Sequence, residues 1–396
     1  MNNSYQLFGI PASLYMAKAR SYLRKQHIPF VERTVGDPYF GQKIVPTVGR
    51  FIMPVLETPD GTIVQDGADI IDYFENQAKD KNEQTRLPAL PENSVQRAVS
   101  YLFELFGGEG LLRPAMHYRW NFPDENLAFL KNEFTAGLLP SDADEEAKNT
   151  LFEFASGSMQ KAKKFFGVTA ECIPLVEESY AEFLRLFAEH LKASPFLLGG
   201  RPTYGDYGLI APLYAHLSRD PYPGQQMRQH APHVARWVER MNVPEQVIAE
   251  HSSVSEDLFA DDAVPDTLKQ LMRYVAEEYL PEIVAHVNYA NDWLDERPDL
   301  EASTNGLEDP AVRAIGKAEF DWRGIRLRTA VMPYRFYLLQ RLQDTVVAAN
   351  DAEQQAIKAL FAETGLSSIL EVKTHRRVER NNYLEVWGED RRASES

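Results

Sequence analysis

Within residues 1–80, the spacing of apolar side chains switches between the two-residue period of a strand and the longer period of a helix. Residues 4–10 and 29–35 predict strands, and residues 12–26 between them have helical spacing. A strand, a helix and a second strand in this order indicate a parallel pair of strands joined by a right-handed crossover.

Two shorter strands are predicted next, at 51–57 and 62–65, and the Asp60-Gly61 pair between them is a strong hairpin signal. Residues 67–77 then predict a helix with its apolar positions on one side. The segments together predict a small α/β module over residues 1–80, with a mixed sheet and helices on both of its faces.

The rest of the chain has a different pattern. Residues 81–94 are polar, contain proline and indicate a linker, after which helical periodicity predicts an all-α domain over 95–250. Residues 251–396 form a C-terminal extension that is mostly helical. Partial alternation near 318–333 predicts one β-hairpin within this extension.

Charge and composition exclude several classes of function. The chain has 396 residues and a formal net charge of −16, which disfavours nucleic acid as a partner because phosphate binding depends on clustered Lys and Arg. The basic run at 373–380 is interpreted as a solvated face or tail, with a nucleic-acid patch as the less favoured alternative. The single cysteine, Cys172, excludes an internal disulfide and a Cys-based zinc cluster, and indicates a reducing, cytoplasmic location.

Membrane, metal and nucleotide binding are not expected either. The apolar runs are too short to span a bilayer, and the N-terminus lacks the pattern of a secretory signal. The histidines form no HExxH motif, so no metal is expected, and neither a GxGxxG motif nor a P-loop occurs.

Three motifs, in order along the chain, resemble those of one family. They are MPVLE (53–57), TIVQDGADIIDYFE (62–75) and GGRPTYGDYGLIAPLY (199–214), the last with Thr203 and Asp206 at the places of a capping box. Over roughly residues 4–246 the chain resembles the cytosolic glutathione S-transferases. The resemblance implies a thioredoxin-like N-terminal domain that binds glutathione, followed by an all-helical domain.

The same resemblance implies residues for glutathione binding. Met53 would pair its backbone with the cysteinyl backbone of glutathione, and Pro54 would be the family's cis-proline. Asp66 would meet the γ-glutamyl ammonium, and the N-terminus of the following helix would bind the γ-glutamyl carboxylate. Gly67 departs from the family pattern, which usually has serine there, so one hydroxyl donor is missing.

The resemblance also implies a residue that stabilises the glutathione thiolate at the end of the first strand. Ser13 is the main candidate for this catalytic role, and a plain helix cap is its alternative interpretation. Tyr15 is a second candidate, although a helical tyrosine is more often part of the core. Because a free thiol has a pKa near about 8.5, a hydroxyl hydrogen bond and a helix N-terminus would have to favour the thiolate.

A second substrate would bind between the two domains. In the segment 111–123, Tyr118 and Trp120 could line an apolar pocket and His117 and Arg119 could bind a polar group, but a packed corner between helices is an equally good interpretation. Lys43 and Arg50 could meet the glycyl carboxylate, although ordinary surface charge is the favoured interpretation.

The resemblance therefore implies a glutathione-dependent transferase that acts on a small electrophile, with glutathione as co-substrate and a homodimer as the assembly. A non-catalytic scaffold that binds thiols or proteins is the alternative. The departure at Gly67 and the long extension favour that alternative somewhat.

Overall fold

The structure is a computed structural model that describes residues 4–81, 86–140, 142–245, 249–251 and 255–394. The predicted N-terminal module is present. Its elements are β1 Tyr5–Phe8, α1 Leu14–Lys25, β2 Phe30–Arg33, a π-helical turn Phe40–Ile44, α2 Val45–Val48, β3 Val55–Glu57, β4 Ile63–Gln65 and α3 Gly67–Asp80.

The four strands form one mixed sheet in the order β2-β1-β3-β4, with β1 and β2 parallel and the other pairs antiparallel. Alternate side chains face opposite layers. Leu7 and Leu56 pack in the core shared with α1 and α3, whereas Phe8 and Val55 pack with the helical turns over 40–48. Helices therefore cover both faces, as predicted.

Strand β3 is shorter than the predicted 51–57 and begins only after Pro54. Proline has no N–H to donate to a strand ladder, so the pairing starts at Val55. Helix α3 runs beyond the predicted end at 77 to Asp80 and stops before the linker expected over 81–94. Residues 82–85 of that linker lie outside the described residues.

The second region is helical throughout its described part. Its elements are α4 Ser94–Leu105, a π-helical turn Phe106–Gly110, α5 Leu112–Trp120, α6 Pro123–Leu138, α7 Glu145–Ala162, a 3₁₀ turn Lys163–Phe166, α8 Ile173–Ala193, α9 Tyr204–Ala215, α10 Pro221–His230, α11 Pro232–Met241 and a 3₁₀ turn Ala249–His251. The predicted capping box is confirmed at the start of the buried helix α9. The N–H of Thr203 donates to Asp206 at 2.9 Å.

The extension is also mostly helical. It contains a 3₁₀ turn Ala260–Asp262, α12 Asp266–Glu278, α13 Leu280–Asp295, β5 Gly316–Trp322, β6 Ile325–Val331, α14 Pro333–Ala348, α15 Asp351–Glu363, α16 Ser367–Glu371, β7 Arg376–Asn381, β8 Leu384–Asp390 and a 3₁₀ turn Arg391–Ser394. The β5–β6 hairpin confirms the prediction at 318–333. The β7–β8 hairpin was not predicted, and it contains most of the basic run that was interpreted as a solvated face.

The extension packs into the rest of the chain. Tyr334 and Leu338 of α14 belong to the same buried cluster as Val99 of α4 and Ile71 of α3. The β5–β6 hairpin covers the start of α8, where Cys172 is fully buried in a cluster with Trp322. The three regions therefore share one continuous hydrophobic interior.

Buried ion pairs connect the same regions. The Arg335 guanidinium of α14 donates to Glu109 at 3.1 Å and to Glu282 of α13 at 2.6 Å. Glu282 also accepts from Arg113 of α5 at 2.6 Å. Burial would raise the pKa of Glu282, but Arg335 and Arg113 outweigh it and lower that pKa to about 2.

Removing one member of this network should leave uncompensated charge in the interior. We expect Arg335→Met to lower the free energy of unfolding by about 3–5 kcal/mol, because Glu109 and Glu282 would remain buried without that partner. Urea unfolding measures the change.

The matched control is Arg377→Met, which breaks an exposed ion pair between Arg377 of β7 and Asp344. Asp344 lies on α14, the helix that also contains Arg335. Exposed pairs contribute about 0–1 kcal/mol, so this variant should unfold close to the wild type. Equal destabilisation by the two substitutions would contradict a special role for the buried network.

Candidate functional site

The register of the sheet brings the predicted site residues to one edge. Because Phe8 pairs with Val55 and Val55 pairs with Gln65, the end of β1, the start of β3 and the end of β4 are neighbours. Ser13 follows the first of these strand ends, Met53 precedes the second and Asp66 follows the third. The sequence therefore folds so that these candidate residues lie at the same edge of the module.

Ser13 occupies the N-cap position of α1 with an extended backbone (φ −86°, ψ 127°), but its side chain makes no capping hydrogen bond. Its Oγ has no hydrogen-bond partner within the described part of the chain and is not sealed from solvent. Ser13 is therefore the N-cap residue of α1 by position, as its alternative interpretation has it, but its hydroxyl makes no cap bond, and its role towards a thiolate stays a prediction.

Arg119 fixes the residue before Ser13. Its guanidinium donates to the carbonyl of Ala12 at 2.9 Å and to that of Ala215 at 2.7 Å, and it pairs with the buried carboxylate of Asp220. Through these bonds Arg119 connects the turn before α1 to the helical domain. It does not bind a polar group of a substrate in this arrangement.

The hydroxyl of Tyr15 already has a hydrogen-bond partner. Its hydroxyl donates to Glu109 Oε1 at 2.9 Å, and the second oxygen of Glu109 accepts from Arg335. Burial, followed by the charge of Glu109, raises the pKa of Tyr15 well above its ordinary value. This bond makes Tyr15 a weaker candidate than Ser13, whose hydroxyl is free.

The Met53–Pro54 peptide is cis, as the resemblance implies. The carbonyl of Pro54 accepts from the N–H of Asp66 at 3.2 Å, whereas the backbone N–H and C=O of Met53 have no partner among the described residues. Met53 thus presents an unused donor and acceptor at the edge of the sheet, which is the chemistry needed to pair with an extended peptide.

Asp66 caps α3 from a left-handed backbone conformation (φ 91°), with Oδ1 accepting from the N–H of Ala68 at 2.7 Å. The same oxygen accepts from the hydroxyl of Tyr334 at 2.9 Å, and the Arg380 guanidinium lies 3.8 Å from Oδ2. Only 6% of Asp66 is exposed. The extension therefore covers the carboxylate that was expected to meet an ammonium group.

Gly67 stands where α3 approaches α1 closely. A Cβ there would lie 3.1 Å from the carbonyl oxygen of Tyr15 and 3.2 Å from the side chain of Lys18. The glycine thus permits a tight helix contact, a structural reason that the sequence did not reveal. Its own N–H, in the first turn of α3, has no partner within the described ranges.

The tip of the β7–β8 hairpin reaches the same edge. Glu385 pairs with Arg380 at 2.6 Å and with Arg50 at 3.1 Å, and Arg50 also donates to the carbonyl of Tyr383 at 2.8 Å. The interpretation of Arg50 as surface charge is therefore wrong, because its side chain is buried under the hairpin. Lys43, in contrast, is half exposed and pairs with Glu57 at 2.6 Å.

Sequence reasoning missed the members of the site that come from the extension, which are Tyr334, Arg380 and Glu385. The basic run at 373–380 contained Arg380, but nothing in its pattern indicated a carboxylate partner far away in the sequence. The interpretation as a solvated face or tail is wrong for Arg376 and Arg380, since the first is buried and the second is ion-paired.

The predicted second-substrate residues are separated by the fold. Trp120 packs against Phe134 in a separate apolar cluster, and the His117 ring bonds to Glu177 at 3.0 Å. For His117, Arg119 and Trp120 the structure favours the packed corner over a pocket facing the N-terminal module.

Tyr118 differs from these neighbours because it lines an open cleft in the helical domain. The cleft has a volume of about 630 Å³ and lies between α5, α8, α10 and α11. Tyr180 stands beside Tyr118 at a ring-centroid distance of 5.1 Å. The lining contains no residue of the N-terminal module, so this cleft is separate from the edge that carries Ser13.

In the described residues, His, Cys, Asp and Glu side chains form no group of three or more that could hold a metal ion. A search of the same residues for a helix with the length and apolarity to cross a membrane found none.

The Glu385 contacts predict a pH-dependent stability. Burial would raise the pKa of Glu385, but Arg380, Arg313 and Arg50 outweigh it and lower the pKa to about 2, from an ordinary 4.5. A lowered pKa in the folded state stabilises the fold above the unfolded-state pKa, and this contribution is lost as the pH falls. The stability advantage of the wild type over Glu385→Gln should therefore be full above about pH 4.5 and shrink towards pH 2.

Chemical denaturation across this pH range measures the advantage. Glu379→Gln, which changes an exposed carboxylate on the neighbouring strand, is the matched control for the loss of charge. If the stability advantage of the wild type over Glu385→Gln grew as the pH falls, the three arginines would not be what lowers the pKa of Glu385.

Comparison with known proteins agrees with this architecture. The family "Glutathione S-transferase, N-terminal domain" matches residues 7–90, and "Glutathione S-transferase, C-terminal domain" matches residues 170–240. No curated protein matches the sequence significantly.

Several solved structures resemble part of this chain. A glutathione S-transferase from Rhodospirillum rubrum F11 is 14% identical over 67% of this chain and 99% of its own, with a TM-score of 0.38. One from Methylobacterium radiotolerans, in complex with glutathione sulfonate, is 19% identical over 66% and 100% of the chains, with a TM-score of 0.35. The β-etherase LigF from Sphingobium sp. strain SYK-6 is 16% identical over 63% and 99%, with a TM-score of 0.42. The chain thus combines segments that match both domains of the glutathione S-transferases, the N-terminal domain at 7–90 and the C-terminal domain at 170–240.

Proposed function

We propose that the protein is a glutathione-dependent transferase that joins the thiol of glutathione to a small electrophile. The observation that carries the proposal is the free hydroxyl of Ser13 at the N-terminus of α1, at the same sheet edge as the unpaired backbone groups of Met53. A thiol peptide paired with Met53 would lie along this edge and direct its sulfur towards the start of α1.

For this reaction the protein has to stabilise the thiolate of glutathione. Ser13 would donate its hydroxyl hydrogen to the sulfur, and the unpaired N–H groups at the start of α1 would add the positive end of the helix dipole. Lowering the thiol pKa by two units needs about 2.7 kcal/mol, which one charge-assisted hydrogen bond and a helix terminus together supply. The thiol proton passes to solvent and the thiolate attacks an electrophilic carbon. A sulfur–carbon bond forms while the bond from that carbon to its leaving group breaks, and the leaving group departs with the electron pair.

A non-catalytic scaffold that binds thiols or proteins is the second candidate. The observation that favours it is the covered carboxylate of Asp66, which Tyr334 and Arg380 already engage. Calorimetry combined with an assay on a panel of electrophiles separates the two candidates. Binding of glutathione without turnover of any electrophile would favour the scaffold, and no binding at all would contradict the transferase.

Assembly as a homodimer, a cytoplasmic location and the electrophile itself stay predictions. The packing of α14 against α4 means that part of the helical surface is already buried within one chain. Light scattering on the purified protein measures whether the remaining surface supports a dimer.

The role of Ser13 is tested by Ser13→Ala. We expect the variant to raise the pKa of the bound glutathione thiol and to lower kcat/KM by at least about tenfold, because a hydrogen bond to the charged sulfur is lost. Ultraviolet absorbance of the thiolate against pH measures the first effect, and initial rates measure the second.

Tyr15→Phe provides the comparison between the two hydroxyl candidates. The Tyr15 hydroxyl already donates to Glu109, so this variant should leave the pKa of the bound thiol close to that of the wild type. A thiol pKa that rises in Tyr15→Phe but not in Ser13→Ala would show that the assignment of Ser13 is wrong.

A further inference from the structure

Helix α7 has an apolar face that the rest of the described chain leaves uncovered. Phe152 points inwards, where its ring centroid lies 6.3 Å from that of Phe134. Because successive helical residues are about 100° apart, Phe154 points to the opposite side. It is 75% exposed, more than any other large hydrophobic residue described. An open recess of about 640 Å³ beside it is lined only by α7 and its cap, through Asp144, Glu146, Ala147, Thr150, Leu151 and Phe154.

The residues one turn after Phe154 on this face are small. Gly157 lies inside the helix, and a Cβ added to it would meet no atom within 4 Å. Ser158 beside it is exposed. Glycine in a helix interior is destabilising relative to alanine, and no contact within the described part of the chain calls for it here. A second surface that packs closely against α7 would give the glycine a role.

The charges of α7 are divided between its two ends. Residues 144–146 are acidic, whereas residues 161, 163 and 164 are lysines. Glu146, Lys161 and Lys164 are exposed and form no ion pair with any other described residue. Helical periodicity places Glu146 and Lys161 on the same side of Phe154. The open face thus has an apolar centre, one acidic end and one basic end.

We propose that α7 is the contact between two copies of this chain, which pair antiparallel about a two-fold axis at Phe154. This residue lies near the middle of the helix, so the axis brings the Phe154 rings of the two copies together. The small residues Gly157 and Ser158 of one copy then face the bulkier Thr150 and Leu151 of the other. The exposed phenylalanine is the aromatic anchor that the centres of interfaces commonly contain.

The antiparallel arrangement also matches the charges. Glu146 of each copy faces Lys161 of the other, whereas a parallel pair would bring acidic end against acidic end. Each chain has a formal net charge of −16, so two copies repel each other in general. Local complementarity of this kind is what a contact between them requires.

This contact is separate from the site at the sheet edge. Helix α7 lies outside the segments 7–90 and 170–240 that match the family, and Ser13 and Met53 belong to the N-terminal module. A single helix pair buries less than the about 1,600 Å² of a standard interface, so we expect a weak dimer with a micromolar dissociation constant.

Sedimentation velocity on the full-length protein from about 1 to 200 µM measures this equilibrium. Phe154→Glu should raise the dissociation constant at least about tenfold, because it places a carboxylate at the centre of the contact. The matched control is Val347→Glu on α14, where the valine is 71% exposed, and this variant should dimerise as the wild type does. Thermal unfolding verifies that each variant is folded.

A charge exchange tests the antiparallel pairing itself. Lys161→Glu and Glu146→Lys should each weaken self-association, because like charges then face each other twice in the symmetric pair. An equimolar mixture of the two variants should associate as the wild type does, since each changed charge meets its opposite in the other variant.

Three results would each overturn the proposal: a wild type that stays monomeric over this range, a Phe154→Glu variant that dimerises normally, or a mixture that does not recover. The proposed function is judged separately, by the glutathione and electrophile assays, which we expect Phe154→Glu to pass with the activity of the wild type.

Discussion

The buried guanidinium of Arg335 is the interaction on which the arrangement of this protein depends. It joins Glu109, at the turn after α4, to Glu282 of the extension, and the other oxygen of Glu109 holds the hydroxyl of Tyr15. Charges removed from water are costly, and only a full set of partners compensates them. The network is therefore satisfied in one arrangement, in which the N-terminal module, the helical domain and the extension are held together.

The extension is consequently part of the candidate site and not an appendage. Tyr334, in the first turn of α14, reaches Asp66, and the β7–β8 hairpin brings Arg380 and Glu385 to the same edge. In a two-domain chain this edge would be open to solvent on the side of α3. Here side chains of the extension already engage Asp66 and Arg50, so the polar groups that stay open at this edge are set by distant parts of the sequence.

Much of the N-terminal module could be predicted from the sequence because its signals are local. The Asp60-Gly61 turn of that module depends on neighbours a few residues apart, and so does the capping box of Thr203 and Asp206 in the helical domain. The burial of Arg50 and the cover over Asp66 could not be predicted, because their partners lie 335 and 268 residues away. Periodicity indicates which face of an element is apolar, but not which distant charge will meet an individual carboxylate.

The burial of Cys172 has a practical consequence. Its sulfur donates to the carbonyl of Gly167 at 3.1 Å and lies under the β5–β6 hairpin, packed with Trp322. A thiol reagent can reach this atom only when the hairpin separates from the start of α8, so the labelling rate of the chain's single cysteine reports local opening. The reactivity of Cys172 thus measures how often the extension separates from the helical domain. Fast labelling that occurs only when a thiol ligand is present would come from the thiol of that ligand and not from Cys172.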